Sequence, residues 1–200
     1  MVESRRDSPE RGADLPAQVA AIRSAQKTFT YAQYVYETGP PAQALIRAMS
    51  ERCQSGVHGH ILVDGIGSLS MPAESRQTLE QAGCEFAIFR PVDLPTIFDV
   101  NDRNHRRILV VDGRIGFTGG SGASSKWMGN GRREGYWRQT DVRIEGHAVT
   151  DLQAAFAENW LEATGRALGE RVISRVRSDE ARCWPRSFAA RRSGAVFPCT

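Results

Sequence analysis

No run of about 18 consecutive apolar residues occurs, so no membrane-crossing helix is encoded, and contact with a bilayer is expected to be peripheral at most. The stretch Met1–Asp14 is charged and polar, with no apolar segment, so no secretory leader is expected there. A cytoplasmic chain is expected, with the inner face of the cell membrane as its nearest lipid surface. The cysteines are few: Cys53, Cys84, Cys183 and Cys199, with no close pair and no cysteine–histidine ligand spacing. They read as reduced thiols, not as a disulfide framework or a zinc site. Nor is there an obvious metal cluster elsewhere, so neither metal nor cofactor is expected. Charge of either sign is not in large excess: 26 Lys and Arg against 23 Asp and Glu give a net charge of +3. That balance permits a preference for anionic lipid or phosphate without demanding one, and it lacks the basic stripe that nucleic acid needs.

What remains is ordinary globular composition, 40% hydrophobic and 24% charged over 200 residues, which suits one domain with tails. Residues 1–13 are rich in charge, Ser and Gly and are expected to be disordered. The folded domain is expected over 14–170. Leu15, Val19 and Ile22 recur at helical spacing; Phe29–Glu37 is dense in aromatics and reads as a strand. Gly39-Pro40-Pro41 starts a helix to about Gln54. Val57–Asp64 is a second strand, Pro72–Ala82 a helix closed by Gly83, and Cys84–Phe89 a third strand. Strand and helix alternating in this way imply an α/β fold with parallel pairing. Asp64 and Ser68 lie in the exit loop of the second strand, where open sheets bind ligands, and are substrate-contact candidates, although Asp64-Gly65 equally forms a turn. Pro91–Arg103 is a connection, Ser121–Arg133 is expected to be a mobile loop, and Tyr136–Glu145 a strand. Val149–Thr164 is an amphipathic helix whose Leu152, Phe156 and Trp160 face the core.

The stretch Asn104–Gly120 carries the chemistry. Ile108–Val111 is a short apolar run, closed by Asp112-Gly113, and Arg114–Thr118 runs back. Asp-Gly between two apolar runs signals a hairpin with a type I′ turn, which requires positive φ at both central residues. Strand side chains alternate faces, so His105 and Arg107 are expected to point the same way. An imidazole beside a fixed cation suits attack on, or grip of, a phosphate. Gly119-Gly120 lets backbone N–H groups approach an anion closely.

At these residues the chain resembles the phospholipase D superfamily, whose signature is His-x-Lys-x4-Asp followed by Gly-Gly-x-Asn or Gly-Ser-x-Asn. His105 and Asp112 stand at the family's spacing, with Arg107 in place of Lys. Gly119-Gly120-Ser121 matches the second segment, with Gly122 in place of Asn. The bacterial cardiolipin synthase branch is the nearest, and the resemblance runs over roughly residues 15–170. It implies a mixed sheet flanked by helices, as a single half-domain. It also implies phosphodiester exchange through a phosphohistidine, in which one histidine attacks phosphorus and a second, from another half, acts as general acid and then base. His105, Arg107 and Asp112 would be the catalytic set, with Asp112 tying down the hairpin, and Gly119, Gly120 and Ser121 would contact substrate. The family has Trp-Arg-Asp-Thr-His where this chain has Trp137-Arg138-Gln139-Thr140-Asp141. Asp141 is expected to replace the carboxylate that orients the histidine, because Gln139 supplies no charge.

Of the four histidines, His58, His60 and His147 have no cation two places on, so one motif is present. Residues 171–200 show neither helical nor strand period. A truncated first half with a tail in a shifted frame is therefore expected. The resemblance implies a phosphatidylglycerol-like substrate and a homodimer or separate second half as partner, with nucleic acid disfavoured. Two rival functions stand beside phosphatidyl transfer: a catalytically silent half that binds phosphate or a partner chain, and a nuclease-like phosphodiesterase.

Overall fold

A computed structural model of the chain describes residues 2–3, 14–92, 103–128, 132, 134–169 and 172. Of the two tails, only Val2, Glu3 and Val172 are among them; the tail expectations otherwise lie outside the described residues, as does most of the Pro91–Arg103 connection.

The elements in order are β1 (Val2–Glu3), α1 (Asp14–Ser24), β2 (Thr28–Gln33), α2 (Pro40–Gln54), β3 (His58–Asp64), α3 (Ala73–Gln81), β4 (Glu85–Phe89), β5 (Ile108–Val111), β6 (Ile115–Gly119), β7 (Asp141–Glu145) and α4 (Ala148–Thr164). One mixed sheet holds all seven strands in the order β1-β7-β6-β5-β2-β3-β4. As the alternating pattern implied, β2, β3 and β4 pair in parallel. The β5–β6–β7 meander is antiparallel and joins the parallel half through β2 and β5. The expected α/β mixed sheet flanked by helices is therefore the fold.

Alternation along the strands builds two cores. Phe29 and Tyr31 of β2, Ile61 and Val63 of β3, and Leu109 and Val111 of β5 pack with Ile22, Leu45, Met49 and Leu79 of α1, α2 and α3. Ala32, Leu62, Ile108 and Val110 face the other way, onto Val149, Phe156 and Trp160 of α4. Phe156 and Trp160 are core residues, as their spacing implied, and removing such a ring typically costs about 3–5 kcal/mol. Gly165 ends α4 with φ 68, the left-handed terminal position that glycine fills without strain.

Three expectations are corrected. The strand from Phe29 ends at Gln33, not Glu37; beyond it Tyr36 makes an isolated parallel bridge to Ala123. The strand expected over Tyr136–Glu145 begins only at Asp141. And Cys53 and Cys84 are not separate thiols but a disulfide, with Cα atoms 5.5 Å apart across 31 residues. The crossover through β3 and α3 returns the chain to the end of α2, a proximity that linear spacing does not reveal.

Candidate functional site

The hairpin forms as its sequence requires. Asp112 and Gly113 have φ 50 and 61, and Arg114 N–H donates to the Val111 carbonyl at 3.0 Å, so the turn is type I′. The Asp112 carboxylate accepts the backbone N–H groups of Gln26 (2.8 Å), Lys27 (2.8 Å) and Thr28 (2.9 Å). It ties the turn to the loop between α1 and β2. Asp112 thus lies at the opposite end of β5 from His105.

His105 precedes β5, at the carboxyl end of β2 and β3, and is exposed. Its ring stacks on Tyr34, with centroids 3.7 Å apart and planes at 25°. It borders an open groove with Phe89, Arg90, Arg103, Arg106 and Asn159. Arg106 and Arg90 are paired with Glu158 (3.0 Å) and Glu162 (2.7 Å) on α4.

Arg107 lines a different space, a pocket of about 10 Å³, about the size of one water. Gln18, Tyr31, Gln33, Ser121 and Asp141 share it. Burial lowers the Arg107 pKa and the Asp141 charge pulls it back, while its Nε is buried without a hydrogen-bond partner. His105 and Arg107 therefore border two spaces, not the shared one that strand alternation implied.

The glycines serve closeness within the fold. A Cβ at Gly119 would strike the Asp141 carboxylate, and one at Gly120 the Gln139 amide. Ser121 N–H donates to Asp141 Oδ1 at 3.0 Å, and Gln18 Nε2 donates to Oδ2 at 3.1 Å. The backbone donor offered by Ser121 is thus taken within the chain. At Gly122, where the family has Asn, an added Cβ would meet the Trp127 ring at 2.7 Å. Asp141, expected beside the histidine, instead faces Arg107 and holds Ser121.

The loop after Ser121 is pinned over its described part. Ala123 exchanges backbone hydrogen bonds with Val35 (2.9 Å) and Glu37 (3.0 Å). Ser124 Oγ (2.6 Å) and Lys126 Nζ (2.9 Å) both bond the Glu37 carboxylate, and these bonds lower its pKa. Asp64 and Ser68 do not reach into the groove as substrate contacts would. Asp64 is fully buried, its carboxylate filled by backbone N–H groups, and Ser68 Oγ donates to the Asp64 carbonyl. Tyr34, Gln18 and Gln33 were missed, because no local pattern marks a residue that meets the motif only across the sheet. Among the described residues, no helix is long and apolar enough to cross a membrane, and no group of three or more His, Cys, Asp or Glu is placed to hold a metal ion.

Residues 19–160 match the family model described as cardiolipin synthase, PLD-like domain. A cardiolipin synthase from Geobacillus sp. is 38% identical over 136 residues, covering 68% of this chain and 27% of that protein. Cardiolipin synthase A from Pseudomonas fluorescens is 38% identical over 144 residues, covering 72% of this chain and 30% of that protein. The chain thus spans under a third of the length of these relatives. Among solved structures, NucT from Helicobacter pylori superposes with a TM-score of 0.62 at 12% identity, covering 82% of this chain and 96% of that one, a likeness of fold. With the hairpin, the His105 spacing and this match over most of its length, the chain belongs to the phospholipase D superfamily, in the cardiolipin synthase-like branch.

Proposed function

We propose that the chain supplies half of a phosphatidyl-transfer site for anionic phospholipid synthesis of the cardiolipin type. His105 attacks phosphorus of a phosphatidylglycerol-like diester and forms a phosphohistidine. The bond to the leaving alcohol breaks, and a second histidine gives that alkoxide its proton. The same group then takes a proton from the incoming alcohol, whose oxygen displaces His105 from phosphorus. The observation that carries this reading is an exposed histidine at the carboxyl edge of the sheet, at the family's motif spacing. One motif gives one histidine, so the second comes from another copy of the chain about a two-fold axis, or from a separate second half. Arg107, in the neighbouring pocket beside Asp141, contributes positive charge at longer range. Lipid contact is peripheral, from the cytoplasmic side, and Met128, Tyr136 and Trp137 are exposed apolar groups suited to it.

A second reading, a silent half that binds phosphate or a partner chain, is favoured by one group of contacts. Ser121 N–H is occupied by Asp141, Trp127 covers Gly122, and Asp141 opposes the Arg107 charge. The test is labelled phosphatidylglycerol resolved by thin-layer chromatography, beside plasmid nicking, with mass followed by light scattering through a dilution series. Transfer that appears with the dimer or with an added second half supports the proposal. Full turnover per chain from a verified monomer refutes the two-histidine requirement. No turnover from a verified dimer supports the silent half, and nicking without lipid transfer supports the nuclease.

A further inference from the structure

Two routes run from one buried carboxylate to the His105 side chain. Asp64 ends β3 and is fully buried. A buried carboxylate is costly unless its oxygens are filled. Oδ1 accepts the N–H groups of Ile66 (2.9 Å) and Gly67 (3.0 Å), and Oδ2 accepts the N–H of Asn104 at 3.0 Å. The Arg103 guanidinium, its side chain 7% exposed, lies 3.9 Å from Oδ1 and donates to the Arg90 carbonyl at 2.7 Å. Both residues ahead of His105 are therefore gripped. Asn104 Oδ1 in turn accepts the Arg106 N–H at 3.0 Å, closing the chain around His105 from the other side.

The second route passes through the loop that Asp64 folds. Gly67 lies so close to the Tyr34 carbonyl that a Cβ would strike it, and the Gly67 carbonyl accepts the Tyr36 N–H at 3.1 Å. That loop seats Tyr34, and Tyr34 stacks on the imidazole at 3.7 Å. One route fixes the backbone of His105 and the other its ring plane.

We infer that Asp64 is a positioning residue for His105, acting through the Asn104 backbone and through Tyr34. Its effect on turnover rests on His105 being the reactive group; its effect on the ring does not. A histidine that must meet phosphorus in line gains from such support, because misplacement by about 1 Å can cost about 10²-fold in rate.

The experiment is nuclear magnetic resonance of the histidine ring protons in the full chain, with His105 assigned by His105→Ala. In the native protein the His105 protons should lie upfield of those of exposed His58 and His147, from the Tyr34 ring current. Tyr34→Phe should keep the shift and Tyr34→Leu should abolish it. Asp64→Asn retains one acceptor oxygen but loses the second, and should remove the shift although Tyr34 is intact. If Asp64→Asn does not fold, Gly67→Ala tests the second route by displacing the Tyr34 carbonyl. In the form that turns over, kcat should fall about 10²-fold in Tyr34→Leu and Asp64→Asn with KM little changed, and Tyr34→Phe should restore it. An unshifted His105 in the native protein, or a shift that persists in folded Asp64→Asn or Gly67→Ala, overturns the inference. No turnover from a verified dimer or with an added second half, together with a His105 shift that responds as described, overturns the phosphodiester reading and leaves the positioning role standing.

Discussion

The two ends of the sheet are built by opposite rules. At the amino end of β2, β3 and β4 the chain is fastened, although the buried His60 Nδ1 there has no hydrogen-bond partner. Asp112 takes three backbone N–H groups, and Cys53–Cys84 joins α2 to the start of β4. At the carboxyl end of the same strands stand an exposed His105 and a half-buried Arg107 whose Nε lacks a partner. The His-x-Arg-x4-Asp motif spans this divide, because its spacing is the length of β5 plus a turn. Its aspartate fastens the turn, and in the proposed reaction its histidine attacks phosphorus. Changes at Asp112 or the disulfide should therefore move stability alone, and changes at His105 or Arg107 turnover alone, while Asp64, at the carboxyl end of β3, serves both.

The sharpest test of the division is His105→Ala. Phosphodiester turnover should fall below detection, since both attack and proton transfer are lost. Unfolding free energy should stay within about 0.5 kcal/mol, as for an exposed residue away from the core. A large loss of stability, read by urea unfolding, would show that the two ends are not separable.

The disulfide should give the largest stability effect. The two cysteines are 31 residues apart, and a cross-link of that span is worth about 3–4 kcal/mol by loop entropy. Cys84→Ser, or reduction under conditions that open the buried bond, should lower stability by that order and leave turnover per folded chain unchanged. Equal unfolding midpoints with and without reductant would break the comparison.

Asp112→Ala comes next. It strips the acceptor from three N–H groups. Gln26 and Lys27 are exposed, so water replaces part of the loss, and about 2–3 kcal/mol is expected. Turnover per folded chain should hold. A fall in kcat without a fall in stability would place Asp112 in the chemistry after all.

Arg107→Lys is the matching change at the other end. A compact ammonium removes the buried, unpartnered Nε and restores the group on which the family relies. Stability should change little, and turnover should rise a few-fold. Equal or lower turnover with intact folding would show that Arg107 is adapted to its pocket with Asp141.

How far the sequence discloses this division depends on range. The Asp112-Gly113 turn was legible because a type I′ turn constrains two adjacent residues, and both φ values are positive as required. The parallel core was legible because its helices and strands each carry their own period. The disulfide, the Tyr34–His105 stack and the grip of Asp141 on Ser121 were not. Each joins residues at least 20 apart in sequence through a register that only the assembled sheet fixes. Asp64 was noticed for its place at a strand exit, but burial turned a substrate contact into a support.

The smallest expected effect is a pH dependence at the amino end. His60 on β3 is 7% exposed; its Nε2 lies 3.1 Å from Glu85 on β4, and its ring meets Trp160 of α4 edge-on at 5.1 Å. Burial lowers its pKa below the ordinary 6.5, against the pull of Glu85 and with a small push from His58 and Arg166. His60 is accordingly neutral in the fold at pH 7, and donates from Nε2–H to Glu85. The unfolded chain takes up a proton as pH falls through 6.5, whereas the folded chain does so only at lower pH. Stability is thus full above 6.5 and declines as pH drops toward the folded value, with a slope of at most about 1.4 kcal/mol per pH unit. Glu37, also lowered, loses its contribution only below its ordinary 4.5, so pH 5–6.5 isolates the histidine. Urea unfolding at several pH values across that window should show the decline in the native protein and a flatter profile in His60→Gln. Identical profiles would mean that burial of His60 carries no proton linkage. If the decline is present, any pH dependence of kcat in the same window, measured on chain that remains folded, belongs to the carboxyl end, because His60 can withdraw folded chain but does not touch the groove that His105 borders.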